Sequence, residues 1–187
     1  MTRYLAFARD KERWIETPNE AVRFTDRGRD VWVRVVTDQL DKVWEVEGLG
    51  DTYRTALEKI EPSVGGVDRY LFIPSLPGLV VVEVFHFPVY PEWQDELRAS
   101  VIHDVNLRGE VEITDLDMEP LQDVFSASRA DQREDGRVLL SRVLVGSDGS
   151  NVFVMRGKTA NVIALAEFDL HARDAFASLE VREDITV

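Results

Sequence analysis

The chain has 187 residues, no cysteine, and 35 acidic against 22 basic side chains, for a formal charge of −13. A chain of this length can bury a full hydrophobic core without covalent or metal staples, and the lack of cysteine excludes disulfides, thiolate nucleophiles and every zinc or iron–sulfur site built on Cys ligands. The charge opposes a phosphate backbone, so nucleic-acid binding is not expected, and the apolar runs, Leu79 to Val82 among them, are far too short to cross a membrane.

No repeat, low-complexity tract or Gly/Ser linker divides the chain, which reads as a single α+β domain over 1–187. Arg3 to Ala8 reads as a first strand. Ala21 to Thr25 and Val31 to Val36 read as a hairpin across the polar turn DRGRD, with Gly28 supplying a positive φ. Lys42 to Glu47 alternates poorly and fits either an added strand or the start of a helix. The segment GDTYRTALEKIEPS predicts a helix with Asp51 as N-cap, Ala56, Leu57 and Ile60 on one face, and Pro62 as its stop.

Arg69 to Ile73 and Leu79 to Phe87 predict two strands joined by the turn PSLPG. The second carries Val80, Val82, Val84 and His86 on one face and Val81, Glu83, Phe85 and Phe87 on the other. Both faces are mostly apolar, so this strand is expected in the middle of a sheet, covered on both sides. A helix follows from Pro91, with early acids, late Arg98 and His103, and Trp93, Leu97 and Val101 at spacing four. A short strand near Glu110 to Thr114 and a helix from Pro120 to about Ser128, with Leu121, Val124 and Phe125 inward, come next.

Arg137 to Val145, Asn151 to Arg156 and Ala160 to Phe168 predict a C-terminal three-stranded meander, and Ala172, Ala175, Phe176 and Leu179 the stripe of a last helix. The expected fold is α+β, with a mixed or mainly antiparallel sheet and three to four helices.

Few residues advertise chemistry. The histidines His86, His103 and His171 stand at no metal-binding spacing, and no GxSxG, P-loop or GxGxxG motif occurs; Gly48-Leu49-Gly50 is a partial match only. No catalytic residue, metal ligand or cofactor is expected. Glu83 and His86, on one strand but opposite faces, are the titratable groups expected to be buried, as an ion-paired structural set or as members of a dispersed active site. Asp115, Asp117 and Glu119 alternate and could face a hard cation, or simply lead into the next helix. Residues 110–135 carry nine acids against two arginines, a solvated surface or a steering face for a basic partner.

Phe85, Phe87, Val89, Tyr90 and Trp93 fall within nine positions, stiffened by Pro88 and Pro91. Aromatic anchors on such a segment lose little entropy on docking, which makes Phe87, Val89, Tyr90 and Trp93 the candidate interface; packing between strand and helix is the ordinary alternative. The expected function is a non-enzymatic structural or protein-interaction subunit, such as a component of a virus, phage or other self-assembling particle, with a protein partner or a homo-oligomer. The alternatives are a small hydrolase or transferase and an acidic regulator of a basic partner. The opening residues lack an apolar stretch of signal-peptide length, which predicts a cytoplasmic or virion location.

The basic set is 18 Arg and 4 Lys. With so many acids, this matches proteins of salt-rich cytoplasm, where ionic strength screens self-repulsion, and equally a high-GC genome writing Arg for Lys. The first origin predicts a melting temperature that climbs steeply with added KCl, and a flat response in a thermal melt series rejects it.

Overall fold

A computed structural model describes residues 2–18, 26–102, 111–132 and 136–184. Among the described residues nine strands run in chain order with four helices: β1 Thr2–Ala6, β2 Trp14–Glu16, α1 Asp26–Trp44, α2 Arg54–Leu57, β3 Val67–Phe72, β4 Val80–Pro88, α3 Trp93–Ile102, β5 Glu112–Leu116, β6 Gln122–Gln132, β7 Val138–Ser147, β8 Asn151–Thr159, α4 Val162–Ala177 and β9 Glu180–Asp184. Seven strands form one antiparallel sheet in the order β2-β3-β4-β8-β7-β6-β5, and β1 pairs with β9 in a separate two-stranded ribbon. The fold is α+β, as expected.

β4 lies inside the sheet between β3 and β8, and both of its faces are covered. On one face Val80, Val82 and Val84 pack with Phe153 and Met155 of β8 under Phe168, Ala172 and Phe176 of α4, and the terminal ribbon adds Leu5 and Val181. On the other face there are two separate helical layers. Trp32, Val33, Val36, Leu40 and Trp44 of α1 cover Leu71 and Val81, while Trp93, Leu97 and Val101 of α3 cover Phe85, Phe125, Val143, Val145 and Val154.

α1 replaces the expected first hairpin. Residues 31–36 are helical, and Ala21 to Thr25 lie outside the described residues. Val31, Val33, Val35 and Val36 suggest a strand, yet Trp32, Val36, Leu40 and Trp44 recur every four residues and are all buried, whereas Val31 and Val35 are exposed. The helical period wins because it gathers both tryptophans on one side. Their indoles anchor it: Trp32 Nε1 donates to the Glu16 carbonyl at 3.1 Å and Trp44 Nε1 to that of Pro74 at 2.9 Å. Lys42 to Trp44 close the helix, and Glu45 leaves it at φ 53°.

The helix expected after Gly50 is shorter, a 3-10 turn over Gly50–Tyr53 followed by the single turn α2. Asp51 does not cap it but pairs with Arg54 at 2.7 Å. Asp41 instead accepts the N–H groups of Gly48 and Gly50, at 2.7 and 2.5 Å. The two loop glycines are therefore engaged by their own chain, which takes away their value as a phosphate cradle.

Two further expectations are corrected. The segment from Pro120 to Ser128 is not a helix but a turn that enters strand β6 at Gln122. Asp123, at φ 53°, sits in a register shift between Gln122 and Phe125. This bulge sends Val124 toward α4 and Phe125 toward α3, so the apolar residues mimic a helical spacing. Ala160 to Phe168 is not a strand but the start of α4, whose N-cap Asn161 accepts from the N–H groups of Ile163 and Ala164 at 2.9 and 3.2 Å. The three-stranded meander before that helix is made of β6, β7 and β8. The exposed acids Glu112 and Asp115 belong to β5, the edge strand beyond it, where charge discourages pairing with another chain.

α4 lies close to the sheet because β8 carries Gly157. A Cβ built there would stand 2.2 Å from Phe168 Cε1. Alanine ordinarily favours a strand over glycine, but this overlap reverses the sign. Gly157→Ala is expected to lower stability by about 2 kcal/mol in urea titrations, and by clearly less in a Phe168→Leu background, because the two sites share one contact.

Candidate functional site

Along β4, Val81 belongs to the α1 layer and Phe85 to the α3 layer, and Glu83 lies between them where neither layer reaches. The antiparallel register sets Arg69 of β3 opposite Glu83 on one side and Arg156 of β8 on the other. Arg69 Nη2 is 3.3 Å from one carboxylate oxygen. Arg156 donates Nε to the second oxygen at 2.9 Å and Nη2 to the same oxygen, and Lys158 Nζ stands 3.4 Å from it. Three cations thus share one carboxylate whose side chain is only 12 % exposed.

Burial alone would push the Glu83 carboxyl up, but the hydrogen bonds from Arg156 and the charges of Arg156, Lys158 and Arg69 outweigh it and hold the group below its ordinary 4.5. Lys158 is moved the other way. Burial is the main cause holding its ammonium below 10.5, the neighbouring charges of Arg156 and Arg129 add to it, and Glu83 opposes it only in part. Arg69 has a second carboxylate partner, Glu61, at 3.2 Å, so Arg156 and Lys158 are the cations that depend on Glu83.

Beside this row a cavity of about 250 Å³ opens between α3 and the sheet, lined on the apolar side by Phe85, Leu97, Val101, Val143, Val145 and Val154. Arg129, Arg156 and Ser100 form the rest of its lining. Arg129 of β6 holds Asp131 of the same strand at 2.8 Å. Between Arg129 and Lys158, paired with each across the sheet, stands Ser141 of β7. It is 1 % exposed, and its hydroxyl has no hydrogen-bond partner among the described residues.

Of the residues singled out from sequence, the fold brings Glu83 into this cluster and sends His86 to the opposite face of β4. There His86 is half-buried, its ring centroid 6.4 Å from that of Phe153, and Nδ1 has no partner among the described residues. Asp68, near His86 on that face, has its carboxyl raised mainly by burial and further by Glu16, against the pull of His86 and Arg9. His171 packs against Phe72 at 5.2 Å, and His103 lies outside the described residues. No group of three or more His, Cys, Asp or Glu able to hold a metal occurs among the described residues. Asp115 pairs with Arg98, and Asp117 and Glu119 lie exposed in the turn into β6.

Trp93 is buried in the α3 core, Phe87 and Tyr90 are half-buried with their rings 5.7 Å apart, and Val89 is exposed. Tyr90 donates its hydroxyl to Glu96 at 2.8 Å. Sequence reading did not single out Arg69, Arg156, Lys158 or Ser141. The alternation of Arg156 and Lys158 about Gly157 was visible, but which strand lay beside it was not.

No family model matches the chain, and no curated protein is significantly similar to it. Among solved structures, a crystal structure of a Bacteroides thetaiotaomicron VPI-5482 protein is similar at 13 % identity and a TM-score of 0.42, over 66 % of this chain. The matched region spans 41 % of that protein's length.

Because Glu83 is held below 4.5 in the folded chain, the stability it contributes is complete above that value and is lost as pH falls through the lowered one. Glu83→Gln is expected to cost about 2 kcal/mol at neutral pH, less than a fully buried pair because Arg156 and Lys158 keep some solvent. Urea titrations from about pH 6 to pH 3 should show a shallower acid loss in the variant than in the parent chain.

Proposed function

We propose that the protein is non-enzymatic and works by binding, with the cationic row between α1 and α3 as the surface that recognises an anion. The observation that carries this reading is the convergence of Arg69, Arg156 and Lys158 on one half-buried carboxylate in a chain of net charge −13. Charges at a low-dielectric floor act more strongly on a ligand than charges in water. An acidic exterior also repels anions everywhere else, which concentrates selectivity at this row. Against a hydrolase built on Glu83 and His86 stands their separation on opposite faces of β4, together with a carboxylate whose oxygens are already occupied by cations.

The expected outcome is that acetate and inorganic phosphate, added at constant ionic strength, move the backbone amide NMR signals of residues 83, 141, 156 and 158 and leave those of the α4 face unmoved. Lys158→Met should remove the response. Signals that stay fixed at this row reject an anion site.

A second reading is a protein-interaction or self-assembling subunit. It is favoured by the outward side of α4, where Val162, Ile163 and Leu170 are 67, 56 and 70 % exposed. This reading expects a homo-oligomer in light scattering that Leu170→Lys dissociates, and a monomer at every salt concentration counts against it.

A further inference from the structure

The cationic row and the cavity are continuous, since Arg156 belongs to both and Val143, next to Ser141 along the same face of β7, lines the cavity floor. Resting on the anion-binding reading above, we propose that the site takes a small carboxylic acid with an apolar body, its carboxylate against Lys158, Arg156 and the Ser141 hydroxyl and its chain in the cavity beneath α3.

The donors define the head group. Arg156 uses Nε and Nη2 on Glu83, so Nη1 is the edge it can offer a ligand. Lys158 meets Glu83 at 3.4 Å and keeps donor hydrogens for a second acceptor. Ser141 adds one hydroxyl that has no partner among the described residues, and a buried hydroxyl left unbonded costs about 1–3 kcal/mol. A carboxylate offers two oxygens with roughly four lone-pair sites, which this set can satisfy. A phosphate monoester brings a third strong acceptor oxygen and nearly twice the charge, and the same donors would leave part of it unsatisfied.

The cavity defines the body. Six of its lining side chains are apolar, and its volume of about 250 Å³ is below the roughly 300–1,000 Å³ usual for small-molecule pockets. It suits a medium-length aliphatic chain or one ring, and excludes a nucleotide or a long-chain lipid. Apolar burial then supplies affinity and the cations supply orientation.

The test is isothermal titration calorimetry of the full chain with octanoate, acetate, 1-octanol and inorganic phosphate at constant ionic strength. Octanoate should bind at one site at least tenfold more tightly than the other three. Ser141→Ala, a near-isosteric change, should weaken octanoate about tenfold. Ser100→Trp, at the exposed rim, should block octanoate while leaving acetate binding intact, and a urea midpoint no lower than the parent's confirms that each variant is folded. If phosphate binds as tightly as octanoate and Ser100→Trp changes nothing, the amphipathic acid is overturned and the anion site stands. If no anion binds at the row, both fall together.

Discussion

An antiparallel register places Arg69, Glu83 and Arg156 side by side on three neighbouring strands, and taking charges out of water costs several kcal/mol per ion unless geometry and further hydrogen bonds compensate. The row supplies that compensation in one direction only. Glu83 receives three cationic partners; Arg69 has a second carboxylate in Glu61 at 3.2 Å, whereas Arg156 and Lys158 share Glu83. A core residue such as valine at position 83 would join the α1 and α3 layers into one apolar surface. The charged row keeps them apart, and the opening between the two helices follows from it.

The two faces of the sheet consequently do different work. α4 closes its face with Phe168 seated on Gly157 and Phe176 beside Gly146, where even a Cβ would meet the Val124 side chain at 2.8 Å. Packing that tight fills the middle of this face, and the space left, about 240 Å³ between Arg142, Leu165 and Asp169, lies toward the start of α4. On the other face α1 and α3 each bury a stripe of large side chains and stop short of the middle, so the half-buried polar groups gather in the interval.

Much of this was legible in the chain. The double apolar character of Leu79 to Phe87 identified the interior strand, and spacing four identified α3. Misreadings share one physical cause: local pattern was overruled by a tertiary feature. The bulge at Asp123 shifted side chains across the sheet and counterfeited a helix, and the valines of α1 hid a repeat carried by Trp32, Val36, Leu40 and Trp44. The charged row was invisible for a different reason. Arg69, Glu83, Ser141 and Lys158 are far apart in sequence and become neighbours only through strand order, which places β8 rather than β5 beside β4.

The ribbon of β1 and β9 joins residues at opposite ends of the described chain, Thr2 opposite Asp184 and Ala6 opposite Glu180. Closing so long a loop carries an entropic cost that no local contact offsets beforehand. During synthesis β1 is made long before β9, and until β9 follows, Leu5 has no strand at its side. The nascent chain therefore leaves one flank of the α4 core open until β9 is made, a vulnerability of manufacture that the finished molecule does not display.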